Sequence, residues 1–242
     1  MKRKRWPGFG RIARHQLEER YGHVLRTVYL DDTNAVQVNN SPRPFLRMRA
    51  LRIGFGSLGL ALFSICCAQP STFHIIKGDQ VVGQVKVDRH VQGDRTLYSM
   101  TSRSKVVVLW PQHIRTAVMT EYRGGRLNAC HSAVSVNEEV RDSSCMRMVN
   151  GRSQGYIHPG RSVATHNNNP WTTARMYYEE PVGQARIYVE SVLSEQPLVC
   201  ISPGVYELQL PDGDVNRYIY RNGVLHEIIV DRTFFDLVFR RA

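Results

Sequence analysis

A Gly-Arg-Ser-Gln-Gly stretch centred on Ser153 matches the GxSxG pattern, in which a sharp turn exposes a serine nucleophile. Asp212 or Asp214, and then His226, follow in the order of a hydrolase triad. The setting argues against such a turn, because the Asn-Gly dipeptide at its start is typical of a hairpin and Pro159 would interrupt a helix beginning after it. A hydrolase with a site assembled from scattered Ser, His and Asp residues is therefore kept as the alternative function.

Other patterns that could bind a metal or a cofactor are weaker. Residues 54–59 match the dinucleotide pattern GxGxxG, but they lie in an apolar segment without the strand and helix that the pattern requires. The acid pairs at 138–139 and 179–180 occupy neighbouring positions, which point to opposite faces of a strand. Seven of the nine histidines lie in residues 69–242, scattered without metal-ligand spacing: His74, His90, His113, His131, His158, His166 and His226. No catalytic, metal-binding or cofactor-binding residue is expected.

Cys130 and Cys145 become a candidate disulfide if residues 127–149 form a hairpin with a two-residue loop at Asn137-Glu138. That register collects apolar residues on one face and places the two cysteines directly opposite each other. Opposed Cα atoms lie about 4.5–5.5 Å apart, within the disulfide range of roughly 4.4–6.8 Å. Two facts oppose the bond: Glu is disfavoured at positive φ, and the pair falls at a hydrogen-bonded position. Two unpaired thiols are the alternative, and Cys200 stays free in both cases.

Residues 48–70, MRALRIGFGSLGLALFSICCAQP, contain the three parts of a secretory signal in order. Two arginines precede an apolar run at 53–67, and the small residue Ala68 follows it. The run has about 15 residues, fewer than the ~20 that a spanning helix needs. Cleavage after Ala68 is therefore expected, while a lipid anchor on a cysteine of the run or an uncleaved signal would be the only routes to a membrane.

The signal divides the chain into three parts. Met48 provides a start at the place where the signal begins, so residues 1–47 are interpreted as a disordered extension from a misassigned start. The alternative is a genuine basic cytoplasmic arm before a signal anchor, which would still export the C-terminal part. Both interpretations place residues 69–242, a single all-β domain, in the periplasm or outer envelope of a bacterium.

Net charge is distributed unevenly between these parts. The whole chain carries +11, but residues 1–68 contain 12 Lys and Arg against 4 Asp and Glu, a net +8. Residues 69–242 contain 20 against 17, a net +3. Because a nucleic-acid-binding domain needs a basic patch on its folded part, no nucleic-acid partner is expected.

Residues 69–242 show short alternating segments separated by turn residues, typical of antiparallel strands. Turn dipeptides include Asn150-Gly151 and Asn222-Gly223, and one short helix is plausible at 170–180. Such strands must close or curve to protect their edges, so we predict an all-β antiparallel meander forming a strongly curved sheet or a partly closed barrel. The predicted strands are 73–76, 81–87, 97–102, 106–110, 114–122, 127–136, 140–149, 156–158, 186–192, 205–210, 215–220, 224–230 and 234–239.

The C-terminal hairpins carry a family resemblance. Together with GDQVVGQVKV at 78–87 and MYYEEP at 176–181, they resemble an uncharacterised family of exported bacterial all-β proteins, a domain of unknown function. The resemblance implies export and an all-β fold, and it implies no catalytic residues. The residues that carry it are Tyr206, Leu208, Leu210, Pro211, Gly213, Asn216, Tyr218, Tyr220, Asn222 and Gly223.

Two functions of different classes remain. The first, which we favour, is a non-catalytic binding or structural domain that holds a hydrophobic ligand or an envelope protein partner. The second is an envelope hydrolase built from the scattered residues above. A filled interior would favour a structural or interaction role, and an open apolar cavity would favour ligand binding. The oligomeric state is left open. Most aromatic residues are expected to fill the core; those considered as binding surface are Trp110, Tyr188, Tyr206, Tyr218, Tyr220, Phe234, Phe235 and Phe239.

Overall fold

The computed structural model of the chain describes residues 70–107, 110–158, 160–165, 171–231 and 236–242. The predicted extension, the signal and its cleavage point at Ala68 lie outside these residues, as do His166, Phe234 and Phe235. No helix among the described residues is long and apolar enough to cross a membrane. The elements are β1 (Ser71–Lys77), β2 (Gln80–Gln92), β3 (Arg95–Val107), β4 (Pro111–Arg123), β5 (Arg126–Val136), β6 (Glu139–Val149), β7 (Arg152–His158), β8 (Arg161–Thr165), α1 (Thr173–Met176), β9 (Arg186–Val189), β10 (Ser194–Ser202), β11 (Val205–Gln209), β12 (Val215–Arg221), β13 (Val224–Asp231) and β14 (Leu237–Arg241).

All fourteen strands belong to one antiparallel sheet, in which neighbours in space are mostly neighbours in sequence. β1 to β8 form one run of hairpins and β9 to β14 form another, and β1 pairs with β14 to join them. β8 and β9 are the two outer strands, so hydrogen bonds do not close the sheet within the described residues. The predicted all-β antiparallel meander is confirmed.

Tight turns at the predicted places make these hairpins. Asn222 and Gly223 have φ angles of 53° and 75°, and Asn137 and Glu138 have φ angles of 49° and 70°. Positive φ at both central residues is the signature of the type I′ turn, whose twist matches that of the strands. Asn and Gly adopt this conformation readily, whereas Glu138 adopts it at a cost that the flanking strand pairing offsets.

The cysteine register predicted for β5 and β6 is wrong. Cys130 pairs with Met146, His131 pairs with Cys145, and both cysteines are free thiols. The register shifts because β6 carries one extra residue, Arg141, close to the turn. A shift of one residue exchanges the faces of a strand, so Cys130 is buried in the interior while Cys145 lies on the opposite face.

The predicted strands differ from the structure in two further ways. Val106 and Val107 end β3 and do not begin a separate strand. The strands β8 and β10 are absent from the predicted set, and Pro197 interrupts the sequence pattern of β10. In the structure β10 pairs with β9 as far as Pro197 and with β11 from Leu198 onward, so the proline lies where the strand changes partners.

Residues 171–193, here called the inner segment, lead from the first run of strands into the second and include α1 and β9. The large core joins the segment to β1, β2 and β10–β14 through residues such as Met176 and Ile187. The small core joins it to β3–β6 through Ala174, Tyr188 and Leu193. Because both cores pack against one short segment, the sheet must curve around it, as predicted.

Candidate functional site

The residues of the hydrolase alternative lie far apart in the sheet. Ser153 lies within the regular strand β7 and pairs with β6 and β8, so the motif forms no turn from strand to helix. Seven strands separate β7 from β13, which carries His226. Asp212 and Asp214 lie in the turn between β11 and β12, where the backbone N–H of Asp214 donates to Asp212 Oδ1 at 3.2 Å. The dipeptide before Ser153, Asn150-Gly151, forms the predicted hairpin turn between β6 and β7, with φ angles of 50° and 74°.

The histidines are distributed over the sheet. Burial lowers the pKa of His131 below its ordinary value of 6.5, because the positive form loses hydration. Within the residues that the structure covers, no three His, Cys, Asp or Glu side chains are grouped so that they could hold a metal ion. The six described histidines lie on β1 (His74), β2 (His90), β4 (His113), β5 (His131), β7 (His158) and β13 (His226).

The centre of the small core is the carboxylate of Glu190, a side chain that is 1% exposed. Its Oε1 accepts hydrogen bonds from Thr120 Oγ1 at 2.8 Å and from the backbone N–H of Ala174 at 3.1 Å. Its Oε2 accepts a hydrogen bond from Thr173 Oγ1. The backbone carbonyl of Glu190 accepts from Ser144 Oγ at 2.5 Å. Strands β4 and β6 and the start of α1 therefore meet at one residue.

The local sequence explains why α1 begins beside this carboxylate. Thr172 has extended backbone angles and caps the helix, since its side chain accepts from the backbone N–H of Arg175 at 3.4 Å. The first N–H groups of a helix have no partner within it, and Glu190 satisfies the one at Ala174. Tyr122 of β4 donates to Thr172 Oγ1 at 3.0 Å, and burial raises the pKa of its hydroxyl. Short polar side chains thus attach the helix to the sheet.

The two cysteines near this network have raised pKa values. Burial, and next the negative charge of Glu190, hold the pKa of the Cys130 thiol well above its usual value. Burial also raises the pKa of Cys145. Because the thiolate is the reactive form of cysteine, both thiols are poor nucleophiles at neutral pH.

The neighbouring acids Glu179 and Glu180 connect the inner segment to opposite runs of strands. Tyr98 of β3 donates to Glu179 Oε1 at 3.0 Å, and the Arg175 guanidinium donates to Glu179 Oε2 at 2.9 Å through Nε. Tyr206 of β11 donates to Glu180 Oε1 at 2.8 Å. The two carboxylates therefore bind different tyrosines, one from each run of strands.

Both tyrosines are strongly held in their protonated form. Burial, and next the negative charge of Glu179, raise the pKa of Tyr98 to about 12. Burial, and next the hydrogen bond to Glu180, raise the pKa of Tyr206 to about 12. A third tyrosine, Tyr220 of β12, donates to the backbone carbonyl of Met176 at 2.7 Å. These hydroxyls act as donors that fix the inner segment between the two runs.

The polar groups around Glu190, Glu179 and Glu180 thus hold the inner segment in place through hydrogen bonds within the protein. The MYYEEP motif, whose resemblance to a known family is visible in the sequence, contains Glu179 and Glu180 of this site. The sequence analysis did not identify Glu190. The available signal was an acid directly after the apolar end of β9 (Arg186–Val189), where a charge would normally be exposed. Its significance depends on Thr120 and Ser144, which are 70 and 46 residues away in sequence.

Comparisons with known proteins identify the domain but give no activity. A family model described as "Domain of unknown function (DUF6134)" matches residues 73–242. Among solved structures, the chain is similar to a beta-barrel-like protein of the domain of unknown function DUF1849 from Brucella abortus, with 10% sequence identity and a TM-score of 0.44. That similarity covers 72% of this chain and 95% of the other. No protein with a curated description matches.

Proposed function

The chain therefore belongs to the DUF6134 family, and on that premise we propose that residues 69–242 are a non-catalytic β-domain, exported to the cell envelope, that binds an envelope partner through its outer surface. The secretory pattern at 48–68 supports export. The inner segment fills the interior of the curved sheet, which argues against a ligand site there.

The observation that carries this proposal is the burial of the inner segment. Met176 and Leu193 are fully buried, and Tyr188 is 1% exposed. They belong to the two cores, where a protein that carries an apolar ligand would keep open space. The chain's own side chains thus occupy the position of a ligand, which favours a structural or interaction role.

The polar groups of the interior support the non-catalytic part of the proposal. The carboxylate oxygens of Glu190 accept hydrogen bonds from the protein itself, and the thiol of Cys130 is held protonated. A general base or a nucleophile needs a free lone pair that can reach a substrate. Groups committed to internal hydrogen bonds serve stability instead.

The domain assignment is tested by native mass spectrometry of the protein isolated from its own envelope. We expect the mass of a chain that begins at Gln69, with no small molecule retained. A chain that keeps residues 48–68 would contradict cleavage, and a retained apolar molecule would contradict the occupied interior.

The absence of catalysis is tested with an esterase substrate panel and two serine variants. Ser153→Ala removes the serine of the hydrolase alternative, and Ser191→Ala, in an exposed turn, is the matched control. We expect no hydrolysis above background for the natural chain or for either variant. Hydrolysis that only Ser153→Ala abolishes would overturn the proposal.

A further inference from the structure

Two neighbouring hairpin ends expose large apolar side chains. Val81 lies just after the β1–β2 turn, and Val107 and Trp110 flank the connection between β3 and β4. They are 62%, 57% and 60% exposed. Lys77 Nζ donates to the backbone carbonyl of Val107 at 2.9 Å, which holds the two hairpin ends side by side. These three residues are called the apolar tip.

A band of basic residues lies on the outward face of the strands that carry the tip. In the β3–β4 register Arg103 faces Arg115 and Lys105 faces His113. These residues alternate with Tyr98, Val118 and the other side chains that point into the small core, so they face outward. The four residues are called the basic band.

Acidic residues at this end of the sheet lie on the turns and strands beside the β3–β4 hairpin. Asp79 occupies the β1–β2 turn, Glu138 occupies the β5–β6 turn, and Glu139 begins β6, where it pairs with Arg141 at 3.0 Å. Asp142 follows on β6, Asp231 ends β13, and Asp236 precedes β14. None of them lies on the β3–β4 hairpin. Positive charge and exposed apolar surface therefore coincide on that hairpin.

We propose that the apolar tip and the basic band dock the domain on a bilayer surface that contains anionic phospholipids. Tryptophan is enriched at the level of lipid headgroups, and lysine and arginine near the surface are attracted to anionic lipids. This inference rests on the proposed outer-surface function and names the membrane as the partner of that surface.

The test measures the contact at Trp110 itself, because the apolar run at 53–67 could attach a full chain to vesicles. The chain has three tryptophans, and replacing Trp6 and Trp171 by Phe leaves Trp110 as the only one. The probe is a vesicle of phosphatidylcholine and phosphatidylglycerol with brominated acyl chains, which quench tryptophan at short range. We expect at least twofold quenching of Trp110, and little quenching with brominated phosphatidylcholine alone.

A matched control places the tryptophan elsewhere on the same chain. Ile201 is 54% exposed near the β10–β11 turn, and Ile201→Trp combined with Trp110→Phe moves the probe to that position. We expect no quenching there. Equal quenching at both positions, or none at position 110, would overturn the inference, because contact would then not be local to the tip.

Charge-reversal variants test the role of the basic band. Lys105→Glu should reduce the quenching of Trp110 at least threefold, whereas Arg221→Glu, at the end of β12, should leave it unchanged. An unchanged signal in Lys105→Glu would contradict the role of the basic band. A photo-crosslinker at position 110 that captures an envelope protein and no lipid would overturn membrane docking while leaving the proposed outer-surface function intact.

Discussion

The large core and the small core enclose the same inner segment with different chemistry. The large core is built from aliphatic and aromatic side chains such as Phe73, Leu208 and Ile228. In the small core, buried Thr120, Ser144 and Glu190 lie among the apolar residues. Apolar burial stabilises without specifying direction, whereas hydrogen bonds act only in one geometry. The large core thus contains the larger set of buried apolar side chains, whereas the small core adds buried hydrogen bonds that position Glu190 and the start of α1.

The largest effect is expected from a cavity in the large core. Leu208 is fully buried, so Leu208→Ala should lower the free energy of unfolding by about 2–5 kcal/mol through lost burial and an unfilled volume. Denaturant unfolding monitored by circular dichroism measures it. Val199→Ala, at an exposed position on the neighbouring strand β10, should change stability by less than about 0.5 kcal/mol. Equal effects would break the assignment of stability to the large core.

A change at the polar centre should cost somewhat less and depend more on chemistry than on size. Glu190→Ala leaves the Thr120 hydroxyl and the N–H of Ala174 without their acceptor, which should cost about 2–4 kcal/mol in the same unfolding experiment. Glu190→Gln should cost less, because the amide oxygen still accepts and the Thr173 hydroxyl can rotate to accept from the new N–H. A glutamine variant as unstable as the alanine variant would show that the charge itself is required.

Single hydrogen bonds from the tyrosines should contribute less again. Tyr206→Phe removes the donor to Glu180 and should cost about 1 kcal/mol. Tyr98→Phe should cost less, since Glu179 keeps the Arg175 guanidinium as a donor. Thermal unfolding of the two variants compares them, and a larger loss in Tyr98→Phe would reverse the expected order.

The smallest expected effect is a change in the pH dependence of stability. The folded-state pKa of His131 is lowered by burial, so between that value and 6.5 the unfolded chain binds more protons than the folded one. Stability should therefore fall as the pH decreases through this window. Unfolding free energies from pH 7.5 to 5 should show this slope, and His131→Gln should flatten it. An unchanged slope in His131→Gln would assign the dependence to other groups.

Sequence reasoning succeeded where local chemistry decides the structure. Positive-φ dipeptides such as Asn222-Gly223 marked the turns, and alternation marked the strands between them, which together give the meander. It failed where one residue changes the register, because the extra Arg141 in β6 leaves an alternating pattern on both of its sides. It also missed Glu190, because the hydrogen-bond partners of a buried acid come from strands far away in sequence.

The pairing of β1 with β14 has a consequence for the order in which the domain assembles. Every other strand neighbour is close in sequence, whereas Arg241 Nη1 donates to Ser71 Oγ across 170 residues, and the N–H of Ala242 donates to the carbonyl of Thr72 at 2.9 Å. Local hairpins form quickly, while contacts between distant residues carry a larger loop-closure cost and form slowly. The two hairpin runs are thus expected to form first and to join last. Until β14 has been synthesised, one edge of β1 remains unpaired and can pair with a strand of another chain.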